Sequence, residues 1–127
     1  MGRWQWLSNL PPILIDSAHN KEGLQPVLKE ISNMGFQKIH FVLGFSADKD
    51  LDAILPMFPE DAKYYYSKAK VPRGMDRLVL KEKASQFGLR GKAYVSIKSA
   101  FAAARKKQKA NELIFVGGSI FTIAEVM

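Results

Sequence analysis

The sequence predicts an α/β fold, a Rossmann-like three-layer sandwich whose mostly parallel sheet carries an antiparallel edge strand near the N-terminus. Three observations carry that expectation. Apolar runs rich in β-branched and aromatic residues occur at 12–16, 38–44 and 112–117, and each ends in a residue suited to a loop, Asp16, Gly44 or Gly117. Helical patterns fill the intervals between strand candidates, so strand and helix alternate along the chain. Alternation at this spacing calls for parallel strands joined by right-handed crossovers, with helices on both faces of the sheet.

Taken in order, residues 4–7 read as an extra strand. Ser8, Asn9 and the Pro11-Pro12 pair join it to the first central strand at 12–16, so it pairs antiparallel at an edge, with Trp4 and Trp6 as core cover. Residues 21–34 follow as a helix, capped by Asn20 and stopped by Gly35. Pro26 conflicts with it, since a proline removes a helical hydrogen bond unless the helix starts late or kinks there. A strand at 38–44 leads to a helix at 48–58 capped by Ser46 or Asp48, then to a shorter strand at 62–67 with three consecutive tyrosines. A helix at 75–87 stops at Gly88, a short strand lies at 93–96, a helix at 97–109, the last central strand at 112–117, and a helix begins at Ser119.

The 127 residues, 47% of them apolar, suffice for one core and leave no room for a second domain. With no cysteine there is neither a disulfide framework nor a thiolate metal site, and with His19 and His40 as the only histidines no metal site built from this chain is expected. The apolar stretch 113–124 is too short to cross a bilayer, and the amino terminus lacks the apolar region of a signal peptide, so a cytoplasmic location with no membrane partner is expected. The net charge of +7 is uneven: residues 1–63 hold six basic against eight acidic groups, residues 64–127 thirteen against four. That asymmetry suits an anionic metabolite or simply a solvated surface. Nucleic acid is not expected, because the basic residues are scattered and not interleaved with aromatic ones.

In open α/β sheets ligands gather at the carboxyl ends of the strands. Three loops meet that description: residues 16–20, 44–50 and 117–119. Asp16 can accept both bonds of a ribose hydroxyl pair, or it can stabilise its own turn. His19 can touch phosphate or move a proton, or serve as a hydrogen-bonded structural residue. Lys49, between Asp48 and Asp50, is either a surface ion pair or a cation presented to a substrate carboxylate. Gly117, Gly118 and Ser119 permit close approach to a ligand, although glycine at a strand end is also how such chains turn. Residues 88–92 (GLRGK) are not a phosphate-binding Walker loop: the spacing is short, and Ala93 stands where Ser or Thr is needed. A GxGxxG fingerprint is absent as well.

Read together, these segments resemble the carboxy-terminal domain of the folylpolyglutamate and dihydrofolate synthases, relatives of the Mur ligases. The landmarks are Gly2-Arg3, the Asp16-x-Ala18-His19-Asn20 signature with Gly23 after it, Gly44-Phe45 followed by Asp48-Lys49-Asp50, Pro72-Arg73, and Gly118-Ser119 with Phe121. Their order and spacing, with Arg3 thirteen positions before Asp16, span nearly the whole chain. The resemblance implies an ATP-dependent ligase that adds glutamate to folate or dihydropteroate through an acyl phosphate, with magnesium assisting. It implies that the chain is a fragment of a longer enzyme, inactive alone, whose amino-terminal ATPase domain carries the Walker loop and metal ligands and is its principal partner. By resemblance Arg3 reaches the ATP phosphates and Asp16 holds the ribose. His19 is the catalytic candidate, and Lys49, Arg73 and Ser119 lie on the phosphate or glutamate side. Lys21, where the signature usually continues with proline, and Ser17, where glycine or alanine is frequent, depart from the pattern without touching Arg3 or Asp16. The competing expectation is a stand-alone Rossmann-like module that binds a nucleotide or anionic metabolite.

Overall fold

The structure is a computed structural model and describes residues 4–16, 18, 20–68 and 73–118. Among these described residues six strands form one sheet: β1 (Trp4–Asn9), β2 (Pro12–Asp16), β3 (Lys38–Leu43), β4 (Lys63–Tyr66), β5 (Gly91–Ala93) and β6 (Glu112–Gly117), in the spatial order β1-β2-β6-β3-β4-β5. Only β1 runs antiparallel to its neighbour; β2, β6, β3, β4 and β5 are mutually parallel. The three-layer architecture and the antiparallel edge pair are therefore those the sequence predicts.

Strand periodicity divides the core in two. On one face Leu14, Phe41, Leu43, Tyr64, Tyr66, Leu113 and Phe115 pack under α1 (Lys21–Ser32), α2 (Leu51–Ile54) and α3 (Arg77–Ser85). The alternate residues Ile13, Ile15, Val42, Tyr65, Ile114 and Val116 pack under α4 (Ile97–Lys107). Each fully buried large apolar side chain contributes about 1.5–3 kcal/mol, which is why strands covered on both sides read as unbroken apolar runs. α4 lies close to the sheet because its buried positions are small: Ala100 and Ala104 sit beside Ile97 with no exposed surface.

Several boundaries differ from the sequence expectation, each for a local reason. α1 runs straight through Pro26, with Asn20 as the cap; the lost bond belongs to the Glu22 carbonyl, and both residues are exposed, so water can satisfy it. The helix expected over 48–58 is a single α-turn followed by a 3-10 turn (Leu55–Met57) containing Pro56. Residues 46–49 are used otherwise: Ala47 N–H donates to the Arg73 carbonyl (2.6 Å), Lys49 N–H to that of Ser46 (3.2 Å), and Ser46 bridges Gly74. Asp50, not Ser46 or Asp48, occupies the cap position, without a side-chain bond. β5 lies at 91–93 and not 93–96, because Ser96 is committed to capping α4 through the Ser99 N–H (3.0 Å). Gly91 also permits that pairing: a Cβ there would stand 2.2 Å from the Tyr64 carbonyl oxygen. Trp6 is not core cover; it is 37% exposed, since β1 packs chiefly on β2 at the sheet edge. The helix expected from Ser119 onward lies outside the described residues.

Candidate functional site at the carboxyl rim of the sheet

The carboxyl ends of β2, β6 and β3, adjacent in the sheet, meet at one rim. Backbone contacts join their loops. Gly44 N–H donates to the Gly117 carbonyl at 3.3 Å, and a Cβ on Gly117 would lie 3.4 Å from the Asp16 carbonyl oxygen. Gly118 adopts φ +108°, and a Cβ there would fall 2.3 Å from the Gly44 carbonyl oxygen. Glycine is thus required at 118 twice over, by its dihedral and by the neighbouring loop. The close approach it allows is to the chain's own backbone.

Asp16 ends β2 with its side chain 1% exposed, and Oδ1 accepts from the Ala18 N–H at 2.6 Å. This short Asx turn ends the strand and orients the chain toward α1. At the start of α1 the Asn20 side chain accepts from the Gly23 N–H at 2.8 Å, and Gly23 itself stands close to Ala18: a Cβ on it would lie 3.1 Å from that of Ala18. Of that signature, Asp16, Ala18, Asn20 and Gly23 therefore hold one another between β2 and α1. The α1 amino terminus opens on the same rim, with its partial positive charge.

Main-chain bonds also join the segments that carry Lys49 and Arg73. Met75 N–H donates to the Phe45 carbonyl (2.8 Å) and Ala47 N–H to that of Arg73, so the segment leading to Lys49 runs alongside the segment that begins at Arg73. Arg73 is exposed and Lys49 half-buried. Arg3, His19 and Ser119 lie outside the described residues. The register of the edge pair nevertheless sets Trp4, the chain neighbour of Arg3, opposite Asp16. Among the described residues no cluster of three or more His, Asp or Glu side chains could hold a metal ion, and no helix is long and apolar enough to cross a membrane.

One arrangement escaped the sequence reading. His40, noted there only as a histidine, is 2% exposed at the opposite end of the sheet. Its Nδ1 lies 2.8 Å from the Tyr65 hydroxyl and its Nε2 2.7 Å from Glu112 Oε1. The carboxylate can only accept, so Nε2 carries a proton and, in the neutral ring, the tyrosine donates to Nδ1. The signal available in sequence was weak: three separate strands each contribute one of these residues.

Fold and rim together define a class. Residues 2–120 match the family described as "Mur ligase, glutamate ligase domain", and the chain belongs to that family. Within it, the chain corresponds to the carboxy-terminal domain of folylpolyglutamate and dihydrofolate synthases. It is 31% identical over 130 residues to the dihydrofolate synthase/folylpolyglutamate synthase of Escherichia coli, matching 99% of this chain and 29% of that protein. It is 27% identical over 127 residues to a probable bifunctional folylpolyglutamate synthase/dihydropteroate synthase of Haloferax volcanii, matching 98% of this chain and 15% of that protein. Among solved structures, the E. coli FolC complex with DHPP and ADP superposes with a TM-score of 0.89 at 28% identity, over 99% of this chain and 30% of that one. The chain thus spans less than a third of the length of these relatives.

Proposed function

We propose that this chain is the carboxy-terminal domain of an ATP-dependent ligase that adds glutamate to folate or dihydropteroate, working in the cytoplasm with a preceding ATPase domain. The observation that carries the reading is the edge register: Trp4 stands opposite Asp16, so β1 begins at the rim where β2 ends. An arginine forks onto phosphate oxygens and an aspartate at a strand end accepts from hydroxyls, so Arg3 and Asp16 suit the two ends of one nucleotide. The ADP named in the E. coli FolC complex supports a nucleotide-using enzyme as the parent of this domain.

In the proposed reaction an oxygen of the pterin substrate's carboxylate attacks the terminal phosphorus of ATP, and ADP leaves. The amine of glutamate then attacks the acyl phosphate, releasing phosphate and forming the amide. Magnesium would neutralise the phosphates, held by the ATPase domain; the described residues offer no cluster for it. This chain's residues would grip the nucleotide (Arg3, Asp16), contact phosphate or relay a proton (His19), and present charge and hydroxyl to phosphate or glutamate (Lys49, Arg73, Ser119). Closure of one domain on the other would exclude water, which matters because acyl phosphates hydrolyse.

Two measurements test this. The chain alone should show only background glutamate-dependent ATP hydrolysis, and sustained turnover would overturn the division of labour. Grafted in place of the matching segment of the E. coli enzyme, the chain should support ligation. There Asp16→Asn keeps an acceptor for the Ala18 N–H but removes the charge, and Arg3→Gln removes the fork. Each should lower kcat/KM for ATP about 10- to 100-fold, the worth of one charge-assisted contact. Unchanged values for both would remove the nucleotide role.

A further inference from the structure

The amino-terminal end of the sheet carries a second concave site unlike the rim. Lys38, Lys63 and Glu112 are the first residues of β3, β4 and β6. In register, Lys38 pairs with Glu112 and His40 with Lys63. Strand alternation turns Lys38, His40, Lys63, Tyr65 and Glu112 to the face that α4 covers. Above them α4 ends in Lys106 and Lys107, with Lys109 just beyond. The half-open space between them is about 460 Å³, within the roughly 300–1,000 Å³ of small-molecule sites.

Among the described residues five lysines thus border one cavity, and Glu112 is its one carboxylate. That carboxylate is already engaged, accepting at 2.7 Å from His40 Nε2 and at 2.9 Å from the Lys109 N–H. Of the five lysines only Lys38 has an ion pair among the described residues, at 3.7 Å to Asp61, which is fully exposed. Lys107 is steadied over the Tyr65 ring, 5.9 Å from its centroid. The negative end of the α4 dipole accounts for lysines in its last turn, but not for Lys38 and Lys63 on two strands facing them. Five like charges set against Glu112 and the exposed Asp61 leave a positive excess that repels itself, and an anion seated among them removes that repulsion. Compact point charges on flexible stems suit phosphate oxygens, and the set lacks the arginine forks that planar carboxylate recognition favours.

We propose that this cavity at the amino-terminal end of β3, β4 and β6 binds a compact polyvalent anion of the phosphate class, with Lys38, Lys63, Lys106, Lys107 and Lys109 as its ligands and the His40–Glu112–Tyr65 network as its rigid floor. The site is separate from the rim, with the length of a six-residue strand, roughly 17–20 Å, between them. It does not depend on the ligase reading.

The test is a titration of the 127-residue chain with tripolyphosphate, followed by calorimetry and by amide chemical shifts. Saturable shifts are expected at residues 38, 40, 63, 106–109 and 112. The triple variant Lys106→Gln, Lys107→Gln, Lys109→Gln, shown by circular dichroism to remain folded, should weaken binding about tenfold or more through loss of three point charges. The equally discharged control Lys29→Gln, Lys81→Gln, Lys83→Gln, on the opposite face, should retain wild-type affinity. Equal losses in both variants, shifts spread over the whole basic surface, or no saturation at millimolar ligand would overturn the proposal. Binding of oligouridylates that tightens with length and exceeds that of tripolyphosphate would also overturn it, in favour of a nucleic-acid face.

Discussion

The two ends of the sheet are built by opposite means. At the carboxyl rim the loops after β2, β6 and β3 meet through main chain, with Gly117, Gly118 and Gly44 in contact and one buried carboxylate, Asp16, closing a turn. At the amino-terminal end the strands begin with long charged side chains around a buried histidine. The rim is therefore shaped by what cannot be larger than hydrogen, the other end by what must be charged. A substitution at the rim meets steric limits, whereas one at the opposite end meets electrostatic ones.

The sharpest way to break that contrast is Gly118→Ala. Its φ of +108° and the Gly44 carbonyl oxygen 2.3 Å from the new Cβ should together cost about 3 kcal/mol or more in urea unfolding. Gly35→Ala, at φ +81° with nothing within 4 Å, meets only the dihedral penalty and should cost about 1–2 kcal/mol. Equal costs would mean that the loops separate easily and that the rim is not held by backbone contact.

A smaller effect should appear in alkali, because the tyrosines of β4 lie against the sheet's two cores. Burial, with Tyr94 and Glu112 nearby, pushes the Tyr65 hydroxyl from 10.0 up to about 12, and burial drives Tyr64 and Tyr66 higher still. A raised folded pKa favours the neutral form, so this stabilisation is complete below pH 10 and is lost as pH rises through the folded value. The Tm should be flat up to about pH 10 and fall beyond it. Replacing Tyr65 by Phe should shift part of that fall; an unchanged profile would show that Tyr65 titrates as if in water.

The smallest effect belongs to Glu112. Burial acts to raise its pKa, but the His40 hydrogen bond, the Lys109 N–H and the positive charges of both outweigh it and hold the carboxyl below its ordinary value of 4.5. A depressed folded pKa gives stability that is present above the unfolded value and disappears as pH falls through the folded one. Wild type should therefore lose Tm faster than Glu112→Gln below about pH 4, the two curves converging in acid. Parallel curves would show that the network at this end is not electrostatic.

Much of the fold was legible because it depends on local, periodic signals. The apolar runs placed β2 and β6 at their observed limits, Asn20 marked the cap of α1, and Gly35 and Gly88, at φ +81° and +79°, marked where helices stop. Where two local signals competed, the outcome lay with distant partners. Residues 46–49 carried helix-start chemistry, yet pairing with residues 73–75 shortened α2. Ser96 looked like the end of a strand until its bond to Ser99 assigned it to α4. The rim was readable as motif spacing, whereas the opposite site was not, since Lys38, Lys63 and Glu112 share no local pattern.

By itself the sequence determined the strand–helix alternation, the edge hairpin, the strand-to-helix turn at Asp16 and the family to which the chain belongs, because each is written in residue type and short spacing. Only the tertiary structure decided that Gly118 faces the Gly44 carbonyl, that Trp6 stays at the surface, and that five lysines from two strands and a helix end surround His40. The reason is register: parallel strands are paired across crossovers of a dozen residues or more, so which side chains become neighbours is set by the packing of the whole sheet.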